Sequence, residues 1–276
     1  MIALQEKLQA STEYVRSRLP SSPAVAAVLG SGLSDLFDTL PVAVSFPTSR
    51  IPHFPVGSVE GHKGMLLVLK LDGRDLLVFQ GRTHFYEHRD TDAVLYPVYL
   101  AESLGVRTLV VTNAAGGVNR AFKAGDIMII TDQINLTGLR LTWEETRSGT
   151  RSQLYSPTLI DKTVTLASSV GVEVKTGVYV GVKGPSYETA AEVEMIRRMG
   201  GDAVGMSTVL EVEFASTRGI EVLGISCITN LATGISSARL SHHEVTEAAN
   251  RVKKNLALLL TSTITDLLSR PSPERG

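Results

Sequence analysis

Residues 24–32 read Ala-Val-Ala-Ala-Val-Leu-Gly-Ser-Gly, six apolar residues that stop at a serine between two glycines. Short apolar runs bounded by turn residues are strand signals. They return at residues 76–79, 108–112, 126–130, 178–182 and 222–228. Helical patterns lie between or around them, at residues 4–18, 93–104, 190–199 and 209–218. The alternation predicts an α/β fold: a single domain whose central mixed, largely parallel β-sheet is flanked by helices.

Composition supports one ordered unit. Of 276 residues, 43% are hydrophobic and 20% charged, which allows a sizeable core and argues against disorder. No repeat, low-complexity run or long charge block divides the chain. Residues 1–268 are therefore expected to form the domain, and residues 269–276, polar and proline-containing, a loose tail. A net charge of −1 argues against nucleic acid or an anionic membrane as partner. Cys227 is the only cysteine, so an intrachain disulfide is excluded. Its apolar setting, Val-Leu-Gly-Ile-Ser-Cys-Ile at residues 222–228, reads as core rather than nucleophile. The first turns carry Glu6 and Lys7, and no apolar stretch has the length of a signal or a membrane span. The expected compartment is the cytoplasm.

Three helix starts carry the capping-box pattern: Thr189 with Glu192, Thr208 with Glu211, and Ser241 with Glu244. The last opens the strongest helical pattern, with Val245, Ala249, Val252, Leu256, Leu260, Ile264 and Leu267 at helical spacing. These caps put Glu188 just before one helix, Ser207 just before another, and His242 on the first turn of the third. In α/β sheets, ligands bind in the crevice at such junctions, outside the carboxyl ends of the strands.

Several segments can carry chemistry there. Gly30-Ser31-Gly32 lets the backbone approach an anion and adds a hydroxyl donor, although a tight turn uses the same residues. It is neither a dinucleotide fingerprint, since Asp35 stands where the third glycine belongs, nor a P-loop. Gly81-Arg82-Thr83-His84-Phe85-Tyr86 gathers a guanidinium able to hold phosphate bidentately, an imidazole and a phenol at a strand end. Asn113-Ala114-Ala115-Gly116-Gly117 follows another strand; its small residues suit a ligand or close packing equally. Ser207 sits where a helix N-terminus favours an anion. Glu188 and Asn230 combine an acceptor with an amide that both donates and accepts, a pair able to read a heterocycle edge. No metal is expected among the six histidines.

In this order and spacing the segments resemble the trimeric, low-molecular-mass class of purine nucleoside phosphorylases. The resemblance runs from about Gly30 to the C-terminal helix. It rests on Gly30-Ser31-Gly32-Leu33, Glu60-Gly61-His62, Gln80-Gly81-Arg82-Thr83-His84-Phe85-Tyr86-Glu87 and Val111-Thr112-Asn113-Ala114-Ala115-Gly116-Gly117. Further along it rests on Gly125-Asp126-Ile127-Met128, Gly184-Pro185-Ser186-Tyr187-Glu188-Thr189, Ala203-Val204-Gly205-Met206-Ser207-Thr208 and Ile228-Thr229-Asn230. The family cleaves a purine (deoxy)nucleoside with orthophosphate, giving free base and (deoxy)ribose-1-phosphate, without metal or organic cofactor.

The resemblance implies a phosphate cradle of Ser31, Arg82, His84, the Ala114 backbone and Ser207, with His62 closing over it. It implies sugar contacts from Tyr86, Met206 and His242. Around the base it implies stacking by Tyr187, a wall at Val204, edge contacts from Glu188 and Asn230, and a nearby Asn113. His84, Glu188 and Asn230 are the expected catalytic groups. A Glu and Asn pair goes in this family with 6-oxopurines, inosine and guanosine; methylthioadenosine phosphorylases carry Asp at the Asn230 position. The family also implies a homotrimer, in which a loop lends an aromatic residue to the neighbouring sugar site. Residues 139–156 are shorter than that loop and dissimilar to it, and Tyr155 is the nearest aromatic there. The rival readings are a phosphorylase for methylthioadenosine or xanthosine, a hydrolytic nucleosidase, and a non-catalytic nucleoside-binding protein.

Overall fold

The computed structural model describes residues 3–59, 62–141, 153–235 and 242–270, except for the side chains of 242–251. Strand β1 (Val25–Leu29) is paired in parallel with β4 (Arg74–Gln80) on one side and β5 (Thr108–Gly117) on the other. All five β1 side chains are buried, in alternation. Ala26 and Val28 join a core with helices α1 (Leu4–Arg16), α3 (Thr91–Ser103) and α6 (Val209–Thr217). Val25, Ala27 and Leu29 join a second core with α4 (Pro157–Ser169) and α7 (His242–Ser269). A strand covered on both faces needs apolar residues at every position, which is why residues 24–29 lack polar alternation.

From β4 the sheet continues antiparallel through β3 (Met65–Leu71) to an edge strand, β2 (Val42–Pro47). On the other side β5 pairs with two strands at once. Its parallel neighbour is β9 (Glu221–Leu231), and its last residues run antiparallel to β8 (Ala203–Gly205). β7 (Lys175–Gly181) and β6 (Ile127–Asn135) complete a ring from β8 back to β9. The expected mixed α/β sheet is present, with five parallel pairings: β1–β4, β1–β5, β5–β9, β6–β7 and β7–β8.

Two stretches read as following strands are themselves strand. Residues 113–117 continue β5, and residues 229–231 continue β9. Five other strands and α-helices among the described residues went unread: β2, β3, β8, α2 (Phe85–His88) and α4. The last carries a clear start signal, since the Ser156 hydroxyl accepts from Leu159 N–H and Pro157 opens the helix. The Thr189–Glu192 capping box opens α5 (Ala190–Arg198), and the Thr208–Glu211 box opens α6. Ser241 and the side chain of Glu244 lie outside the described residues, as do residues 271–276; Ser269, expected in the tail, ends α7. Cys227 is buried, which pushes its thiol up to about 11. Among the described residues no helix is long and apolar enough to cross a membrane.

Candidate active site

A cavity of about 540 Å³ opens at the carboxyl ends of β1, β4, β5, β8 and β9. Ser31 lines it from the turn after β1, and Arg82, His84 and Tyr86 from the segment after β4. Asn113 and Ala114 come from β5, and Tyr187 and Glu188 from the segment before α5. Val204, Met206 and Ser207 come from β8 and the approach to α6, and Asn230 from β9. His62 is not in the lining, but its ring reaches Ser31 from behind. The side chain of His242 lies outside the described residues.

Gly30-Ser31-Gly32 is both a tight turn and a cavity wall. The Gly30 carbonyl accepts from Leu33 N–H at 3.0 Å, and Gly32 sits at φ +72°, where a side chain is strained. Gly30 has a different reason: a Cβ there would stand 2.8 Å from the Asn113 Cα. No other residue lets β1 and β5 close so tightly at the cavity floor.

Arg82 is buried, and most of its donors are already engaged. Nη2 donates to the carbonyls of Thr112 at 2.6 Å and Val28 at 3.3 Å. Nη1 faces the hydroxyls of Thr208 at 2.9 Å and Ser207 at 3.1 Å and the Glu211 carboxylate at 3.3 Å. The bidentate clamp expected of a free guanidinium is therefore not available; Nε is the one donor without a partner among the described residues. Arg82 donates to Ser207 Oγ, which also lies 3.0 Å from Thr208 Oγ1, so the Ser207 hydroxyl belongs to the same network while lining the cavity.

Thr208 holds this arrangement. Its φ of 76° and ψ of −49°, with Val209 N–H donating to the Ser207 carbonyl at 2.8 Å, make a γ-turn of the rare strained kind. Its hydroxyl accepts from Arg82 and from Asn113 Nδ2 at 3.0 Å, while its N–H donates to Glu211 at 2.9 Å. Asn113 thus spends its amide nitrogen in the Arg82 network.

His84 is buried, and its N–H donates to Glu87 Oε1 at 2.6 Å. Glu87 Oε1 also lies 3.2 Å from His84 Nδ1, and Oε2 accepts from Ser58. Burial raises the Glu87 pKa, but these donated hydrogen bonds outweigh it, and the carboxyl is held below its ordinary value. Burial first, then the Arg82 charge, lowers His84 to about 4. Near pH 7 the imidazole is neutral, with its proton on Nδ1 toward Glu87 and the Nε2 lone pair free.

His62 is likewise lowered, by burial and then by Arg82. Its Nδ1 lies 3.3 Å from the Arg82 N–H and, nearer, 2.8 Å from the Arg82 carbonyl, which can only accept; with the proton on Nδ1, Nε2 at 3.0 Å takes the proton of the Ser31 hydroxyl. The His62, His84 and Tyr86 rings stack in sequence, at 5.3 and 5.0 Å between centroids.

The opposite end of the cavity is open. Tyr187 is 84% exposed, Glu188 is half-buried, and Asn230 is exposed. Tyr155 turns the other way: it is buried against Gly224 and donates to Gln133 Oε1 at 2.8 Å. It is a core residue of its own chain. Sequence reading missed Glu87 and the second task of Thr208 and Glu211. The signal for Glu87 was present, three residues after His84, at capping-box spacing.

The fold and cavity are those of a phosphorylase: the model of the phosphorylase superfamily matches residues 24–265. The chain is 44% identical over 266 residues to purine nucleoside phosphorylase 1 of Geobacillus stearothermophilus, covering 94% of this chain and 97% of that one. A crystal structure of Schistosoma mansoni purine nucleoside phosphorylase in complex with adenosine superposes with a TM-score of 0.84 at 34% identity, over 97% of this chain and 98% of that one. Isoform 2 of the Schistosoma mansoni enzyme, with cytosine and ribose-1-phosphate, reaches 0.86 at 31% identity, over 98% and 99%. The chain belongs to the purine nucleoside phosphorylase family of that superfamily.

Proposed function

We propose that the chain catalyses reversible phosphorolysis of purine (deoxy)ribonucleosides, inosine and guanosine in particular, to free base and (deoxy)ribose-1-phosphate. One observation carries the reading: a single cavity has a rigid, cation-backed floor at Ser31, Arg82, His84 and Ser207, and a carboxylate and an amide at its other end, Glu188 and Asn230. Tyr86 and Met206 line the same cavity and suit a sugar.

In the proposed reaction a phosphate oxygen attacks the anomeric carbon as the glycosidic C–N bond breaks and its electron pair leaves on the purine. Positive charge develops on the sugar and negative charge on the base. Arg82 acts on phosphate by its buried charge and through the Ser207 hydroxyl that it polarises. The free Nε2 of His84 accepts a hydrogen bond from the P–OH of hydrogen phosphate, and a phosphate oxygen at Ser31 competes with His62 for the hydroxyl proton. Asn230 donates toward the departing purine while Glu188 anchors the opposite edge, a preorganised arrangement aimed at developing charge. Tyr187 stacks on the base, beside Val204. Orthophosphate is a co-substrate, and the reaction needs no metal or organic cofactor. A homotrimer in the cytoplasm completes the reading.

The test is incubation with inosine, guanosine, adenosine and methylthioadenosine, each with and without phosphate, assaying free base and sugar-1-phosphate. Phosphate-dependent release of hypoxanthine and guanine is expected. Base release that ignores phosphate would overturn phosphorolysis in favour of hydrolysis.

A further inference from the structure

An amide has two unlike ends, and Asn230 distinguishes a purine edge only if those ends are fixed. Its Nδ2 donates to the Leu231 carbonyl at 3.1 Å, a group that can only accept. Its Oδ1 lies 2.9 Å from the Thr229 hydroxyl. That hydroxyl has one proton and two acceptors in reach; the other, the Ala115 carbonyl, is 3.5 Å away, so the proton goes to Asn230. Thr229 lines the same cavity and is exposed, with no burial of its own to explain it.

We propose that Thr229 determines specificity for the purine 6-position by acting on the Asn230 amide. The inference rests on the proposed role of Asn230. Donation into Oδ1 takes up one of its two lone pairs and weakens it as an acceptor for a 6-amino group. It also pulls electron density from the amide and strengthens the remaining Nδ2–H as a donor to a 6-oxopurine. Leu231 fixes the nitrogen end, and Thr229 makes the oxygen end unrewarding. Thr229 is thus a positioning residue, acting through its neighbour. Either substituent at this position could contribute, the hydroxyl or the methyl, and the two can be separated. Valine keeps the shape and β-branching while losing the hydroxyl; serine keeps the hydroxyl while losing the methyl.

The experiment compares kcat/KM for inosine and adenosine in the full chain and in Thr229→Val, Thr229→Ser, Asn230→Ala and Thr229→Val combined with Asn230→Ala, with KM for phosphate measured alongside. Thr229→Val is expected to lower the inosine value about tenfold, the upper end for a neutral hydrogen bond, and to leave adenosine within about twofold. The inosine-to-adenosine ratio then falls roughly five- to twentyfold. Thr229→Ser is expected to keep the ratio, KM for phosphate to stay within about twofold throughout, and Thr229→Val to add nothing once Asn230 is alanine. An unchanged ratio in Thr229→Val overturns the proposal, as does an equal loss in Thr229→Ser or a further loss in the double variant. If Asn230→Ala itself leaves the ratio unchanged, the role of Asn230 falls first, and the present inference with it.

Discussion

The two ends of the cavity are built in opposite ways. At the floor, the Arg82 and Glu211 side chains are each 1% exposed, and their partners come from β1, β5 and the start of α6. At the mouth, Tyr187 is 84% exposed, and Asn230 is held by two residues next to it in sequence. One end is part of the core of the protein; the other is laid on its surface. The expected consequence is that function and stability are coupled at the floor and separable at the mouth.

Arg82→Met tests the coupled end most severely. It leaves the Glu211 carboxylate buried without its counter-charge, and denaturant melts are expected to lose about 3–5 kcal/mol together with all phosphate-dependent turnover. Adding Glu211→Leu removes the stranded charge as well. Most of the stability is expected to return and none of the activity, which separates what the pair does for folding from what Arg82 does for the reaction.

Acid offers a second way in. The folded state holds His84 at about 4 against an ordinary value of 6.5, so below pH 6.5 the unfolded chain binds the proton first. Stability is full above pH 6.5 and drains as pH falls toward 4, by roughly 3 kcal/mol for this one side chain. His62, also lowered, adds in the same direction. Melts at pH 7 and pH 4 should therefore differ by about that much less in His84→Gln than in the parent chain. Equal acid sensitivity in the two would mean that His84 is not held neutral by its surroundings.

The same contrast explains what the sequence made legible. β1, residues 76–79 of β4 and residues 109–111 of β5 are apolar throughout because both faces are covered, and a run with no polar position reads as a strand whatever its partners. The continuation of β5 through Asn113-Ala114-Ala115-Gly116-Gly117 does not read that way. Its small residues are set by crowding from other elements: a Cβ on Gly117 would come within 3.0 Å of Ile228 and 3.1 Å of Leu231. A three-residue strand such as β8 has no period of its own and exists because β5 and β7 flank it. At the site, Thr208 was legible as a helix cap, since capping is local. Its grip on Arg82, 126 residues away, depends on the closed fold. Tyr155 shows the converse error, an aromatic judged by its place in a loop that the fold turns into the core.

At the mouth, Asn230→Ala removes the donor proposed for the departing purine. A loss of about 100-fold in kcat/KM for inosine is expected, the lower part of the range for a preorganised donor. Stability should move by no more than about 0.5 kcal/mol, because the side chain is exposed. A variant that loses activity and unfolds together would erase the distinction between the two ends.

The smallest effect, and the cleanest test of separability, is expected at Tyr187. With 84% of its surface exposed, the ring contributes almost nothing to folding, so Tyr187→Ala should melt within about 0.5 kcal/mol of the parent chain. If the ring stacks on the purine, its loss should raise KM for inosine about tenfold, the modest end of what an aromatic contributes on a base. KM for phosphate should be unchanged, because the floor does not depend on Tyr187. Tyr187→Phe keeps the ring and should keep the parent KM, whereas a role for the phenol hydroxyl would make phenylalanine as poor as alanine. An inosine KM that ignores all three side chains would leave the base held by its edge alone, by Glu188 and Asn230. The mouth would then bind by hydrogen bonds without a stacking face, and its affinity should follow the number of edge contacts that a purine offers.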